Sequence, residues 1–213
     1  MKTLKRLAII GSADFGQLAA YHAATDKHYR VVGFFDDYRT PGDLVNGKPI
    51  LGKLEDVETK YQAGEFEELF LAVGYKYFKE RKEIFEKYSI RIPFSTIIHS
   101  STFVDPSCKI GQGAFILPGC VLDRNVVIGN NVLINTGSVI AHDSQVGDHS
   151  FLSPAVSVAG FVSIGCCCNI GINTTVIDNV RIADHVQTGG GTVVIKDLDQ
   201  SGLYVGNPAR FVR

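Results

Sequence analysis

The chain has 213 residues, enough for two small domains, and 21 Lys and Arg stand against 22 Asp and Glu. A formal net charge of −1 gives no electrostatic reason to bind nucleic acid or an anionic membrane surface. No apolar run approaches the ~20 residues of a spanning helix, so no membrane partner is expected.

The basic start, Met1 to Arg6, is followed by an apolar stretch, Leu7 to Ile10, too short for a signal-peptide core, which predicts a cytoplasmic protein. That stretch reads as a buried strand. Gly11 to Gly16 then forms a Gly-rich turn, and Phe15 to Thr25 has helical character. Strand, turn and helix in this order make a nucleotide-binding βα unit, because glycine lets the backbone approach a phosphate and the helix start offers free N–H groups. The same two glycines would equally serve a tight turn and helix packing. Val31 to Phe35 is a second strand ending in Asp36-Asp37, where a carboxylate meets a ribose or base, or simply water. Asn46-Gly47 and Pro49 mark a turn region, and Leu54 to Tyr61 a short helix. Leu69 to Val73 is a third strand stopped by Gly74, and Tyr77 to Tyr88 an amphipathic helix. Three βα steps without a long second half fit a mononucleotide-sized ligand better than a dinucleotide.

From Ile98 the pattern changes. Every sixth residue through Val194 is Val, Ile or Leu at sixteen of seventeen positions, with Thr188 the exception. Four residues after each comes something small or β-branched, from Thr102 and Cys108 through Ser138, Ser144 and Ser150 to Thr192. An amphipathic helix does not return to one face every sixth residue, whereas a parallel β-helix does, with three repeats to a triangular coil. The stretch makes about five and a half coils, whose open ends need caps. The boundary predicts a Rossmann-like α/β domain over residues 1–94 and a β-helix with a C-terminal tail over residues 95–213.

The five cysteines have no framework spacing and fit free thiols in a reducing compartment. Cys168 of the Cys166–Cys168 run falls in an inward small-residue slot and no second Cys/His cluster faces it, so no metal site is expected. Of the histidines, His22, His28, His99, His149 and His185 read mostly as surface residues. His142 lies two residues past an inward Ile, near a turn, beside Asp143, a carboxylate able to orient an imidazole that works as a base.

These residues carry a resemblance. A short βαβ domain with Gly11-x-x-x-x-Gly16 and Asp36-Asp37 precedes the hexapeptide repeats, which contain Asn135-Thr-Gly-Ser-Val-Ile-Ala-His-Asp143. Near the end stand Gly171-Ile-Asn173, Gly189-Gly-Gly191 and Gly206-Asn-Pro-Ala-Arg210. Over essentially its whole length the chain resembles the bacterial sugar acetyltransferases of the bacillosamine and sialic acid O-acetyltransferase type. The resemblance implies a left-handed β-helix, despite the usual right-handed preference of crossovers, and a homotrimer with active sites between neighbouring prisms. It implies His142 as general base supported by Asp143. Gly160, Ile172, Gly190, Pro208 and Arg210 would lie along acetyl-CoA. Gly11, Ala13, Asp14, Gly16, Asp36, Asp37 and Gly74 would line the sugar-nucleotide pocket. Relatives often carry His where this chain has Phe15 and Phe151, so those side-chain contacts are absent here.

The implied reaction is acetyl-CoA-dependent N-acetylation of a nucleotide-linked 4-amino-4,6-dideoxysugar in bacterial glycan biosynthesis, such as O-antigen (lipopolysaccharide), capsule or glycoprotein. Three other readings remain. One is O-acetylation of a sialic-acid-type sugar. Another is a metal-dependent hydratase, for which the spacing of His142, His149 and His185 offers no convincing ligand set. The last is a non-catalytic sugar-nucleotide-binding scaffold.

Overall fold

The computed structural model describes residues 4–26 and 29–213, apart from the side chain of Tyr75; His28 and the first three residues of the basic start lie outside the described residues. The chain divides into two compact units, Met1–Ile97 and Ile98–Arg213.

In the first unit, β1 (Lys5–Ile10) runs into α1 (Asp14–Thr25), and β2 (Tyr29–Phe35) follows. β1 buries Leu7 to Ile10 completely, as expected of a strand covered on both faces. The helix turns Gly16, Ala19, His22 and Ala23 inward at helical spacing. The region around Asn46 and Pro49 is more than a turn. Asn46 and Gly47 both have positive φ, the geometry of a two-residue hairpin loop. They join β3 (Leu44–Val45) to β4 (Lys48–Gly52), an antiparallel pair that places Pro49 inside a strand. A 3-10 turn at Leu54–Asp56 leads into α2 (Val57–Gln62), then β5 (Glu68–Leu71) and α3 (Phe78–Ser89). The sheet order is β3-β4-β2-β1-β5, parallel except for β3.

The second unit is a parallel β-helix, built through Ile182 of two-residue strands on three faces that pair with the strand eighteen residues on, as in Val121↔Val139 and Leu133↔Phe151. The six-residue Val/Ile/Leu positions point inward: Leu122, Ile134, Ile140, Leu152, Ile170 and Ile182 are all fully buried. From Ala114 onward the small residues at the corners are buried too. A buried hydroxyl needs partners, and the turns provide them. Ser144 Oγ donates to the Ala159 carbonyl (2.8 Å) and accepts from the Val162 N–H (3.0 Å). Ser138 and Ser150 repeat the arrangement one repeat to either side. Thr188, where the apolar rule breaks, is held by the Thr174 hydroxyl (2.9 Å) and the Gly171 N–H (2.8 Å). At the C-terminal end Leu198, Tyr204 and Ala209 join the solenoid core and close it.

The corners show a second six-residue series. Residues 113 to 191, taken every six, all have positive φ. Gly, Asn, Asp and His, which tolerate this conformation best, fill every such position but three: Ala155, Phe161 and Cys167. Among the described histidines, His22 and His149 are buried rather than on the surface, and the His149 ring meets the Asn131 amide at 3.0 Å.

Candidate active site

His142 and Asp143 occupy the corner between strands Val139–Ile140 and Gln145–Val146. The coil stacks this corner over Arg124-Asn125 and under Gly160-Phe161. Asp143 N–H donates to the Arg124 carbonyl (2.9 Å), Phe161 N–H to the His142 carbonyl (3.1 Å), and Asn179 N–H to the Gly160 carbonyl (3.1 Å). Side chains in successive coils therefore meet. Asn125 Nδ2 donates to Asp143 Oδ1 (2.8 Å), and Asp143 Oδ2 faces His142 Nδ1 at 3.0 Å. The Arg124 guanidinium stands 3.8 Å from the same carboxylate. The Asn125 amide, followed by the imidazole, holds the Asp143 carboxyl below the usual carboxylate range, against the effect of burial. A carboxylate only accepts, so His142 Nδ1 carries the proton and Nε2 keeps its lone pair for a substrate. Gly160 makes room for that ring, since a Cβ there would stand 2.8 Å from His142 Cε1.

Ile172 and Gly190 lie elsewhere, on the corner that follows strands Asn169–Ile170 and Val186–Thr188. Gly190 backs the exposed Ile172, whose Cγ2 would be 3.0 Å from an added Cβ. Gly206 and Ala209 bond to Val193 just beyond, which brings Pro208 and Arg210 to the same end. Within one chain, then, His142 and Gly160 share one corner while Ile172, Gly190, Pro208 and Arg210 gather at another.

The first unit holds a cavity of about 470 Å³ lined by Ser12, Ala13, Asp36, Tyr38, Arg39, Thr40 and Asp43. Asp36 shapes it. One carboxylate oxygen accepts from the Ser12 N–H (3.0 Å) and hydroxyl, the other from the Tyr38 N–H (3.0 Å). Burial pushes the Asp36 carboxyl up, but the Ser12 hydroxyl, the two N–H groups and Arg39 together hold it below its ordinary value. The Gln17 amide donates to the Ser12 carbonyl (3.1 Å) and receives from Asn46 (2.8 Å), which ties the hairpin to this rim. Gly11 and Gly16 act behind the wall. A Cβ on Gly11 would reach the Ala72 carbonyl oxygen at 2.8 Å, and one on Gly16 the Gly11 carbonyl oxygen at 2.0 Å. Asp37 points away and accepts the Leu54 N–H (2.8 Å). Asp14 and Gly74 are not among the lining residues. Ser12 and Ala13 lie in the Gly11 to Gly16 loop expected at the pocket; sequence reading missed Tyr38, Arg39, Thr40 and Asp43, which lie in a non-repeating loop, and Asn125, which the eighteen-residue coil period places beside Asp143. Among the described residues no group of three His, Cys, Asp or Glu is gathered to hold a metal ion, and no helix is long and apolar enough to cross a membrane.

Known proteins agree with this architecture. Residues 6–88 match the PglD N-terminal domain family, and residues 97–201 the GMPPB C-terminal domain family. Perosamine N-acetyltransferase from Caulobacter crescentus, in a variant with one histidine replaced by asparagine and solved with CoA and GDP-perosamine, superposes with a TM-score of 0.91 at 28% identity. That match covers 99% of this chain and 98% of the other. The acetyltransferase domain of PglB from Neisseria gonorrhoeae, solved with acetyl coenzyme A, gives 0.88 at 27% identity over 99% and 100% of the two chains. UDP-3-O-acylglucosamine N-acyltransferase from Delftia acidovorans is 38% identical over 58 residues, 27% of this chain and 17% of that protein. The shared architecture is an N-terminal Rossmann-like domain followed by a left-handed β-helix. Over nearly its whole length the chain is similar to bacterial sugar acetyltransferases that use CoA.

Proposed function

We propose that the protein transfers the acetyl group of acetyl-CoA to the amino group of a nucleotide-linked 4-amino-4,6-dideoxysugar used in bacterial surface glycans. The observation that carries this reading is the corner at His142: a base with a fixed tautomer, a carboxylate and an amide behind it, and a glycine clearing its ring. An amine attacks the thioester carbonyl, its proton passes to His142 Nε2, and the carbon–sulfur bond breaks to release CoA. Both reactants are already activated, so holding them ~3 Å apart and accepting one proton are the main demands.

The first unit is the nucleotide-binding domain in this reading. Its cavity has the size of a small-ligand site. Arg39 offers a cation to a diphosphate, and Asp43 a carboxylate to base or ribose donors. Asp36 orders the loop that meets them. The β-helix carries the acyl donor along Ile172, Gly190, Pro208 and Arg210. Because that group and His142 sit at different corners of one prism, a complete site needs a neighbouring copy, and a homotrimer in the cytoplasm is the assembly proposed. The relatives' complexes with CoA and GDP-perosamine, and with acetyl coenzyme A, support these substrate classes.

The test is release of CoA thiol from acetyl-CoA with a panel of nucleotide-linked amino sugars and, in parallel, hydroxyl acceptors of the sialic acid type. Turnover restricted to amine acceptors is expected. Turnover with hydroxyl acceptors alone, or with none of the panel, contradicts the reading.

A further inference from the structure

Phe161 stands where the fold asks for another kind of residue. Its φ is +58°, in a column of stacked turns whose other members are Asn125, Asp143 and Asn179. Left-handed backbone is disfavoured for a bulky side chain, and such outliers gather where the side chain has work to do. Of the fourteen left-handed corner residues of the β-helix, Phe161 alone is large and apolar. Core packing does not explain it, because the residue is 57% exposed.

It meets the His142 ring at right angles with centroids 5.2 Å apart. The Asp143 carboxylate fixes one edge of that imidazole at Nδ1. A single hydrogen bond sets the tautomer but lets the ring pivot about it. Gly160 stands on a second side, where a Cβ would lie 2.8 Å from Cε1. Phe161 closes a third side, and its own N–H ties the turn to the His142 carbonyl. Carboxylate, glycine and phenyl ring together bound the imidazole on three sides.

We infer that Phe161 is a positioning residue that holds the His142 imidazole in its working orientation, retained against the preference of its turn for that purpose. This rests on His142 serving as the base in the proposed reaction. Displacing a reacting group by about 1 Å is enough to slow catalysis by orders of magnitude.

The test compares Phe161→Asn, which suits left-handed backbone and removes the ring, with Phe161→Tyr, which keeps the ring. Phe161→Asn is expected to lower kcat about tenfold or more with the KM for acetyl-CoA unchanged and no loss of melting temperature. Phe161→Tyr restores kcat to near the original. Unchanged kcat in Phe161→Asn overturns the inference, as does an equal loss in Phe161→Tyr or a loss matched by a fall in melting temperature. A second readout needs no turnover: the proton and carbon resonances of His142 Cε1, identified by their disappearance in His142→Ala. Their line widths and relaxation report how freely the ring pivots, independently of the ring-current shift lost with the phenyl group: they broaden in Phe161→Asn and stay sharp in Phe161→Tyr. Unchanged relaxation in Phe161→Asn overturns the positioning role whatever the acceptor proves to be. Increased mobility in a protein inactive on every acceptor leaves it standing and counts only against the proposed reaction.

Discussion

At the scale of single residues, the coil period brings together groups far apart in sequence. Asn125 and Asp143 are eighteen apart in sequence and 2.8 Å apart in space. Removing the amide in Asn125→Ala leaves Asp143 without its strongest partner and loosens the His142 ring. A kcat loss of a few-fold is expected, well below that from losing the base, and steady-state kinetics on both variants check the order. Gly160→Ala puts a methyl group where the imidazole lies; the ring must turn aside, and kcat falls while the fold persists by circular dichroism. Asp36 gives a pH prediction. Its carboxyl is held below its ordinary value in the folded protein. The stability it contributes is therefore fully present above the unfolded pKa of about 4. It is lost as pH falls through the lower folded value. Wild type and Asp36→Asn should differ in denaturant midpoint at pH 7 and converge as the solution is acidified below about 4. A difference that grows on acidification contradicts the assignment.

At the scale of elements, the β-helix depends on buried hydroxyls as well as apolar stacking. Ser150 accepts the Cys168 N–H and donates to the Gly165 carbonyl, and Ser144 does the same beneath His142. Replacing either by Ala leaves one buried N–H and one part-buried carbonyl without that partner, at about 1–3 kcal/mol. Denaturant titration should show similar losses for both variants, with catalysis changed more in Ser144→Ala. The strands and the inward residues were legible in the sequence, because the six-residue register imposes one side-chain direction at each step. The left-handed corner series was equally present, as Asn, Asp, His and Gly recurring every six residues, but its meaning depends on φ, which apolar periodicity does not report. The β3–β4 hairpin hid behind Pro49, whose ring argues against a strand, although Asn46-Gly47 is a strong hairpin signal. The cavity wall from Tyr38 to Asp43 was not legible, since nothing repeats there and its position depends on Asp36 bonding to neighbouring loops. Asp37, read with Asp36 as one motif, is spent on the Leu54 N–H instead. Neighbours in sequence at a strand end face different ways.

At the scale of the whole molecule, one prism separates the proposed base from the residues proposed for the acyl donor, and the proposed trimer reunites them. Light scattering at micromolar protein should return three times the 23.2 kDa chain mass; a monomer mass contradicts the shared site. The central claim is that His142, oriented by Asp143 and Asn125, takes the proton from the attacking amine. The most direct measurement is kcat for CoA release by His142→Ala, with nucleotide amino sugar and acetyl-CoA both saturating. The variant is expected to fold, keep its assembly and bind both substrates, with kcat lower by ~10²–10⁴. A folded His142→Ala enzyme with near-normal kcat would contradict the claim.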